Sequence, residues 1–168
     1  LLKYRGRSLE GFLFPDTYRF FPNASIETVL QKFLHNFYAR AMPMLADTHD
    51  VYITLIIASM IEKEIPLSSE RPLVAGVMYQ RLRIDMPLQI DATTLYAKEV
   101  KNARYDTYQF YGLPPTPISN PGLDAIWAAA HPQESEFLYY LSDPRTKKTI
   151  FGKTIDEHNE NRAKYLGK

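Results

Sequence analysis

Val51-Tyr-Ile-Thr-Leu-Ile-Ile-Ala-Ser-Met-Ile-Glu-Lys-Glu64 is the stretch on which the architecture turns. It is apolar on most sides from Val51 to Ile61, and Glu62, Lys63 and Glu64 then break the pattern. Its β-branched residues would also suit a buried strand. The length of the run and the Glu-Lys-Glu after it select a buried helix, which Pro66 stops. C-terminal to it, Ser68 or Ser69 caps another helix, with Glu70 and Pro72 in its first turn and Val74, Val77, Met78 and Leu82 as its apolar stripe. Asp91 caps a short helix reaching about Lys98. Residues 101–121 read as a long loop punctuated by aromatics and prolines. Gly122 to Ala130 reads as a helix. Phe137–Leu141 and Lys148–Phe151 form a hairpin around Asp143-Pro-Arg145, and Thr154 with Glu157 makes a capping box for a last helix. On the N-terminal side, Ser25 opens a helix with Ile26, Val29, Leu30, Phe33, Leu34 and Phe37 at helical spacing, ended by Pro43. Glu10 to Tyr18 is an extended, aromatic-rich loop. The sum is an α+β chain, mainly helical with a small amount of sheet.

The 168 residues are one domain's worth, spanning 1–168. A hydrophobic fraction of 45% supplies a core and excludes a disordered chain. Twenty basic against nineteen acidic residues leave +1, without the basic excess of a nucleic-acid binder. No apolar run approaches the roughly 20 residues that span a bilayer. The chain begins at Leu1 without a signal peptide, and we read it as an excised piece whose upstream anchor or address is missing. With no cysteine, disulfides, thiolate metal sites and a Cys nucleophile are excluded.

The chemistry concentrates at the end of the 51–64 helix. At about 100° per residue, Glu62 and Glu64 point roughly 200° apart and cannot share one task. Glu62 shares a face with Leu55, Ala58 and Ser59; Glu64 stacks over Ile57, Met60 and Ile61. The surroundings of Glu64 are the more apolar, so desolvation raises its pKa, and the negative end of the helix dipole pushes the same way. A carboxyl kept protonated near neutral pH suits a general acid, the group a sugar-cleaving enzyme places on the leaving oxygen. Two solvated carboxylates at an ordinary helix end fit the same pattern, and a small error of phase exchanges the two residues.

Gln89 and Asp91, two apart in Met86-Pro-Leu-Gln-Ile-Asp91, share one face if extended and can grip hydroxyls or amides; Asp91 also serves as a simple cap. Tyr105, Tyr108 and Tyr111 offer aromatic plates with polar tips, suited to sugar rings or to loop packing. Glu70 and Arg71 also read as an ordinary first-turn acid and a surface base. His35, His49, His131 and His158 are scattered without zinc-site spacing, and no phosphate loop or nucleophile elbow is present. Neither a metal nor a nucleotide cofactor is expected.

Glu10-Gly-Phe-Leu-Phe-Pro-Asp-Thr-Tyr18, Ala58-Ser-Met-Ile-Glu-Lys-Glu64, Ser69-Glu-Arg71, Gln80-Arg-Leu82, Met86-Pro-Leu-Gln89, Asp91, Tyr105-Asp-Thr-Tyr108, Gly112-Leu-Pro-Pro115, Asn120-Pro-Gly122 and Ala128-Ala-Ala-His-Pro132 follow one another in a familiar order. The chain resembles the catalytic domain of the endolytic murein transglycosylases, the MltG or YceG-like family, from about residue 9 to 165. The resemblance implies a lysozyme-like helical core with a small sheet. It implies cleavage of peptidoglycan strands between N-acetylmuramic acid and N-acetylglucosamine, without water, leaving 1,6-anhydro ends. It places the catalytic acid at Glu64, with Glu62 as second choice. Gln89, Asp91, Tyr105, Thr107, Tyr108 and Asn120 then line the glycan cleft, and Glu70 and Arg71 support the acid. An N-terminal membrane anchor and a small LysM-like domain would lie upstream. The site of action would be the extracytoplasmic face of the bacterial cytoplasmic membrane, the periplasmic side in a Gram-negative cell. Cell-wall synthesis enzymes are the partners expected of the family. Three departures touch substrate positioning: Asp106 for a frequent Asn, Ala92 for a frequent Pro, and Thr149 for a frequent His.

A non-catalytic glycan-binding or cell-wall scaffold module is the competing reading. An older label for the family, a pyridoxal-phosphate-dependent lyase, wants a Schiff-base lysine beside a phosphate cradle. The sequence carries neither signature.

Overall fold

A computed structural model describes residues 8–167. Helix α2 (Val51–Glu64) is the axis of the molecule. The Asp50 carboxylate caps it, accepting from the N–H groups of Tyr52 at 2.8 Å and Ile53 at 3.2 Å. Tyr52 and every residue from Thr54 to Ile61 are buried. The helix stops where Ile65, preceding Pro66, turns extended (φ −116°, ψ 102°). A helix apolar all round must be covered on several sides. Helix α1 (Ile26–Arg40), α3 (Arg71–Arg83), α4 (Asp91–Glu99) and α5 (Leu123–Ala130) join it around a single core. In α5, buried Ala125, Ala128 and Ala129 present small side chains where it packs on α2 and α3.

Strands β1 (Tyr139–Ser142) and β2 (Thr149–Gly152) pair antiparallel, with Tyr140 opposite Phe151, and α6 (Ile155–Leu166) rests on this hairpin. The described residues hold six α-helices and a two-stranded sheet, the expected α+β class. The aromatic segment after Glu10 contributes to the core: Phe12 packs edge-on to Phe37 at 5.2 Å and stacks on Tyr52 at 6.2 Å. Gly11 makes this close approach possible. Its φ is +92°, and a Cβ there would meet the Pro117 ring at 2.6 Å.

Three local expectations are corrected. Neither Ser68 nor Ser69 caps α3; residues 68–70 form a separate 3-10 turn, and the Ser68 hydroxyl instead donates to Asp124 at 2.7 Å. Asp91 is not a cap but the first residue of α4, after Ile90, and its carboxylate accepts from the Tyr108 hydroxyl at 2.7 Å. The capping box of α6 is half made. Thr154 Oγ1 accepts from the Glu157 N–H at 3.2 Å, while the Glu157 carboxylate accepts from the Lys153 N–H at 2.7 Å.

Buried Arg81 joins α3 to the approach to the hairpin. Its Nε donates to the Leu138 carbonyl at 2.6 Å, and its Nη1 to the carbonyls of Pro87 at 3.0 Å and Leu88 at 2.8 Å. A hydrogen-bonded guanidinium in the interior leaves none of these three carbonyls unsatisfied.

Candidate active site

A groove of about 620 Å³ runs between the ends of α2 and α4, strand β1 and helix α6. Glu64, Gln89, Asp91 and Tyr108 line it, together with Arg81, Tyr139, Tyr140, His158 and Arg162. Glu64, the last residue of α2, is half-buried, and its Oε1 accepts from the Ala92 N–H at 2.8 Å. That donor is one of the first amides of α4, which have no partner inside their own helix. Burial pushes the Glu64 carboxyl above its ordinary value; the Ala92 hydrogen bond opposes this, and the nearby Asp91 charge adds to it. The neighbouring helix end therefore restrains the shift rather than driving it. With Oε1 held by the amide, Oε2 is left to face a reacting group.

The start of α4 is itself clamped. Thr107 Oγ1 accepts from the Ile90 N–H at 3.0 Å and meets Thr93 Oγ1 at 2.8 Å, and the Gln89 N–H donates to the Thr107 carbonyl at 3.2 Å. Burial alone would raise Asp106, but hydrogen bonds from Thr94, the Tyr108 N–H and Gln109 hold it below the ordinary carboxylate range. Residues 106–108 thus fix the helix end that presents Ala92 and Asp91. Gln89 sits between buried Leu88 and Ile90 with φ +52°, a left-handed conformation that costs a non-glycine residue free energy. It exposes the Gln89 side chain at the groove. Burial and the Asp91 carboxylate push the Tyr108 phenol up to about 12, so it stays a hydrogen-bond donor at neutral pH.

The other sequence candidates are placed elsewhere. Glu62 faces a second cavity: its Oε2 accepts from the Gly122 N–H at 3.0 Å, and its carboxylate pairs with Arg71 at 3.3 Å. Arg71, which also donates to the Ile65 carbonyl at 2.9 Å, therefore supports Glu62 and not Glu64. Glu70 accepts from the Thr149 N–H at 2.8 Å and ties α3 to the hairpin. Tyr105 meets Thr116 at 2.8 Å and packs on Tyr96. Asn120 Oδ1 accepts from the Gly11 and Leu13 N–H groups at 2.8 and 3.1 Å, holding the N-terminal segment. Thr107 is buried beneath the groove. None of Glu62, Glu70, Arg71, Tyr105, Thr107 and Asn120 lines the groove.

Sequence reading missed Arg81, Tyr139, Tyr140, His158 and Arg162. The available signals were the Gln80-Arg-Leu82 motif for Arg81 and the spacing of His158 and Arg162, four apart on one face of α6. Among the described residues no cluster of His, Asp and Glu has metal-binding geometry. No described helix is long and apolar enough to cross a membrane.

Comparison with known proteins agrees with this architecture. Residues 2–164 match the model of the YceG-like family. The endolytic murein transglycosylase of Bacillus subtilis is 36% identical over 174 residues, covering 94% of this chain and 48% of that protein. Its namesake from Streptococcus pneumoniae (serotype 2, strain D39) is 32% identical over 178 residues, covering 94% of this chain and 32% of its own length. The chain thus spans about half or less of these relatives. The 2.6 Å crystal structure of a yceG-like protein from Listeria monocytogenes superposes with a TM-score of 0.82 at 36% identity, over 95% of this chain and 57% of that one. With the family pattern running through almost its whole length, the chain belongs to the YceG-like family.

Proposed function

We propose that the groove cleaves peptidoglycan glycan strands as a lytic transglycosylase, with Glu64 as the acid and then the base. The observation that carries this reading is the Glu64 carboxyl: desolvated, raised in pKa, tied at one oxygen to the Ala92 amide and lining a groove. The relatives named endolytic murein transglycosylases support it. Glu64 Oε2 donates its proton to the glycosidic oxygen between N-acetylmuramic acid and N-acetylglucosamine as the bond from the muramic anomeric carbon to that oxygen breaks. The muramic 6-hydroxyl then attacks the anomeric carbon, and Glu64, now a carboxylate, takes the hydroxyl proton. No water is consumed, and the product carries a 1,6-anhydro ring. The nucleophile belongs to the substrate, so its proximity is built in. Gln89, Asp91 and Tyr108 meet the sugars, Tyr108 held in place by its bond to Asp91. The polymer lies outside the cytoplasmic membrane, and we place the reaction there.

Mass spectrometry of digested peptidoglycan tests the scheme. Fragments one water lighter than hydrolysis products are expected. Glu64→Gln should lower turnover by at least about 100-fold, the range typical for a lost general acid. Free reducing ends would mean hydrolysis, with Asp91 as the second carboxylate. Saturable strand binding without any new ends would mean a glycan-binding module instead.

A further inference from the structure

The groove carries a charge that sugar cleavage does not use. Its α2 and α4 walls contribute Glu64 and Asp91, whereas α6 contributes His158 and Arg162. The His158 ring stacks on Tyr139 at 5.3 Å, and the Arg81 guanidinium lies 5.2 Å from the centre of the same Tyr139 ring. Burial, with Arg162 and Arg81 nearby, holds His158 below its usual range, so it presents a neutral ring at pH 7. Arg81 spends Nε and Nη1 on backbone carbonyls. Arg162 differs from both: it is exposed, it lines the groove, and among the described residues it has no hydrogen-bond or ion-pair partner. A guanidinium is a planar fork of donors matched to a carboxylate.

In a peptide-bearing strand the lactyl carboxyl of each muramic acid is tied up in the amide to its peptide, so the sugars themselves give this cation no partner. The peptide attached to each muramic acid carries free carboxylates. We propose that the α6 wall is a subsite for the stem peptide, in which Arg162 pairs with a peptide carboxylate beside the stacked rings of Tyr139 and His158. This rests on the glycan-cleaving reading of the groove and extends it to the substrate's side chains. Arg162 is a specificity determinant in this scheme and takes no part in bond breaking.

The test separates binding from cleavage. Calorimetric titration of the Glu64→Gln protein uses three ligands: strands with intact peptides, strands whose peptide carboxylates are amidated, and strands stripped of peptide by an amidase with the lactyl carboxylates so freed then amidated. Intact strands should bind about 10-fold more tightly than the other two, the scale of one charge-assisted contact. That advantage should shrink as salt is raised. Adding Arg162→Gln should make all three bind alike, with circular dichroism unchanged because the residue is exposed. Equal binding of intact and stripped strands overturns the proposal. So does a preference that survives Arg162→Gln, or no binding of any strand. Cleavage by the protein with Glu64 in place is scored separately. A charge preference lost with Arg162 but unaccompanied by strand cleavage would overturn the lytic reaction and leave the peptide subsite standing.

Discussion

At the scale of single residues, two groove side chains are held at a cost to stability. Glu64 has its folded-state pKa raised above 4.5 by burial. The folded protein therefore binds this proton more tightly than the unfolded chain. Stability from this group is fully present below pH 4.5 and is lost as pH rises through the folded value. Glu64→Gln keeps the shape and an acceptor for the Ala92 amide but has no charge to desolvate. It should raise Tm at pH 7 and lose that advantage below pH 4.5, as pH-dependent thermal melts would show. Gln89 has a different cost, its left-handed backbone. Gln89→Gly should stabilise the fold by about 0.5–1 kcal/mol, since relief of strain outweighs glycine's extra freedom in the unfolded chain. It should also weaken strand cleavage through a higher KM, because the side chain leaves the groove. A lower Tm for Gln89→Gly would show that the conformation is not strained.

At the scale of elements, close approach matters more than propensity. Gly76 lies inside α3, where alanine would ordinarily gain about 1 kcal/mol. A Cβ at this position would meet the Gln133 carbonyl oxygen at 1.9 Å. The same strap is bound to α3 by the Gln133 N–H, which donates to the Pro72 carbonyl at 2.9 Å. Gly76→Ala must therefore push the 132–133 strap off α3 and should destabilise by about 2 kcal/mol, read as a lower denaturation midpoint. An unchanged midpoint would mean the strap can move freely. The same scale explains the uneven success of local capping rules. Ser25 and Thr154 cap as expected because their helices begin at the surface. Ser68 and Asp91 are drawn away by partners far along the chain, Asp124 and Tyr108, which no local pattern displays.

At the scale of the whole molecule, the groove is assembled from segments distant in sequence. Its acid comes from the central helix, its amide donor from α4, and its cation from α6 on the hairpin. Local periodicity was enough to find α2, the Glu-Lys-Glu at its end, the hairpin and the last helix. A helix or strand reports its buried face through the spacing of its own apolar residues. Tertiary structure alone separated the two glutamates. Packing phase turned Glu62 toward Arg71 and Gly122, and Glu64 toward Ala92 and the groove. It alone set Arg162 on the same groove as Glu64. Spacing encodes which side of an element is covered, but not which distant element does the covering, and the chemistry of a groove depends on the second.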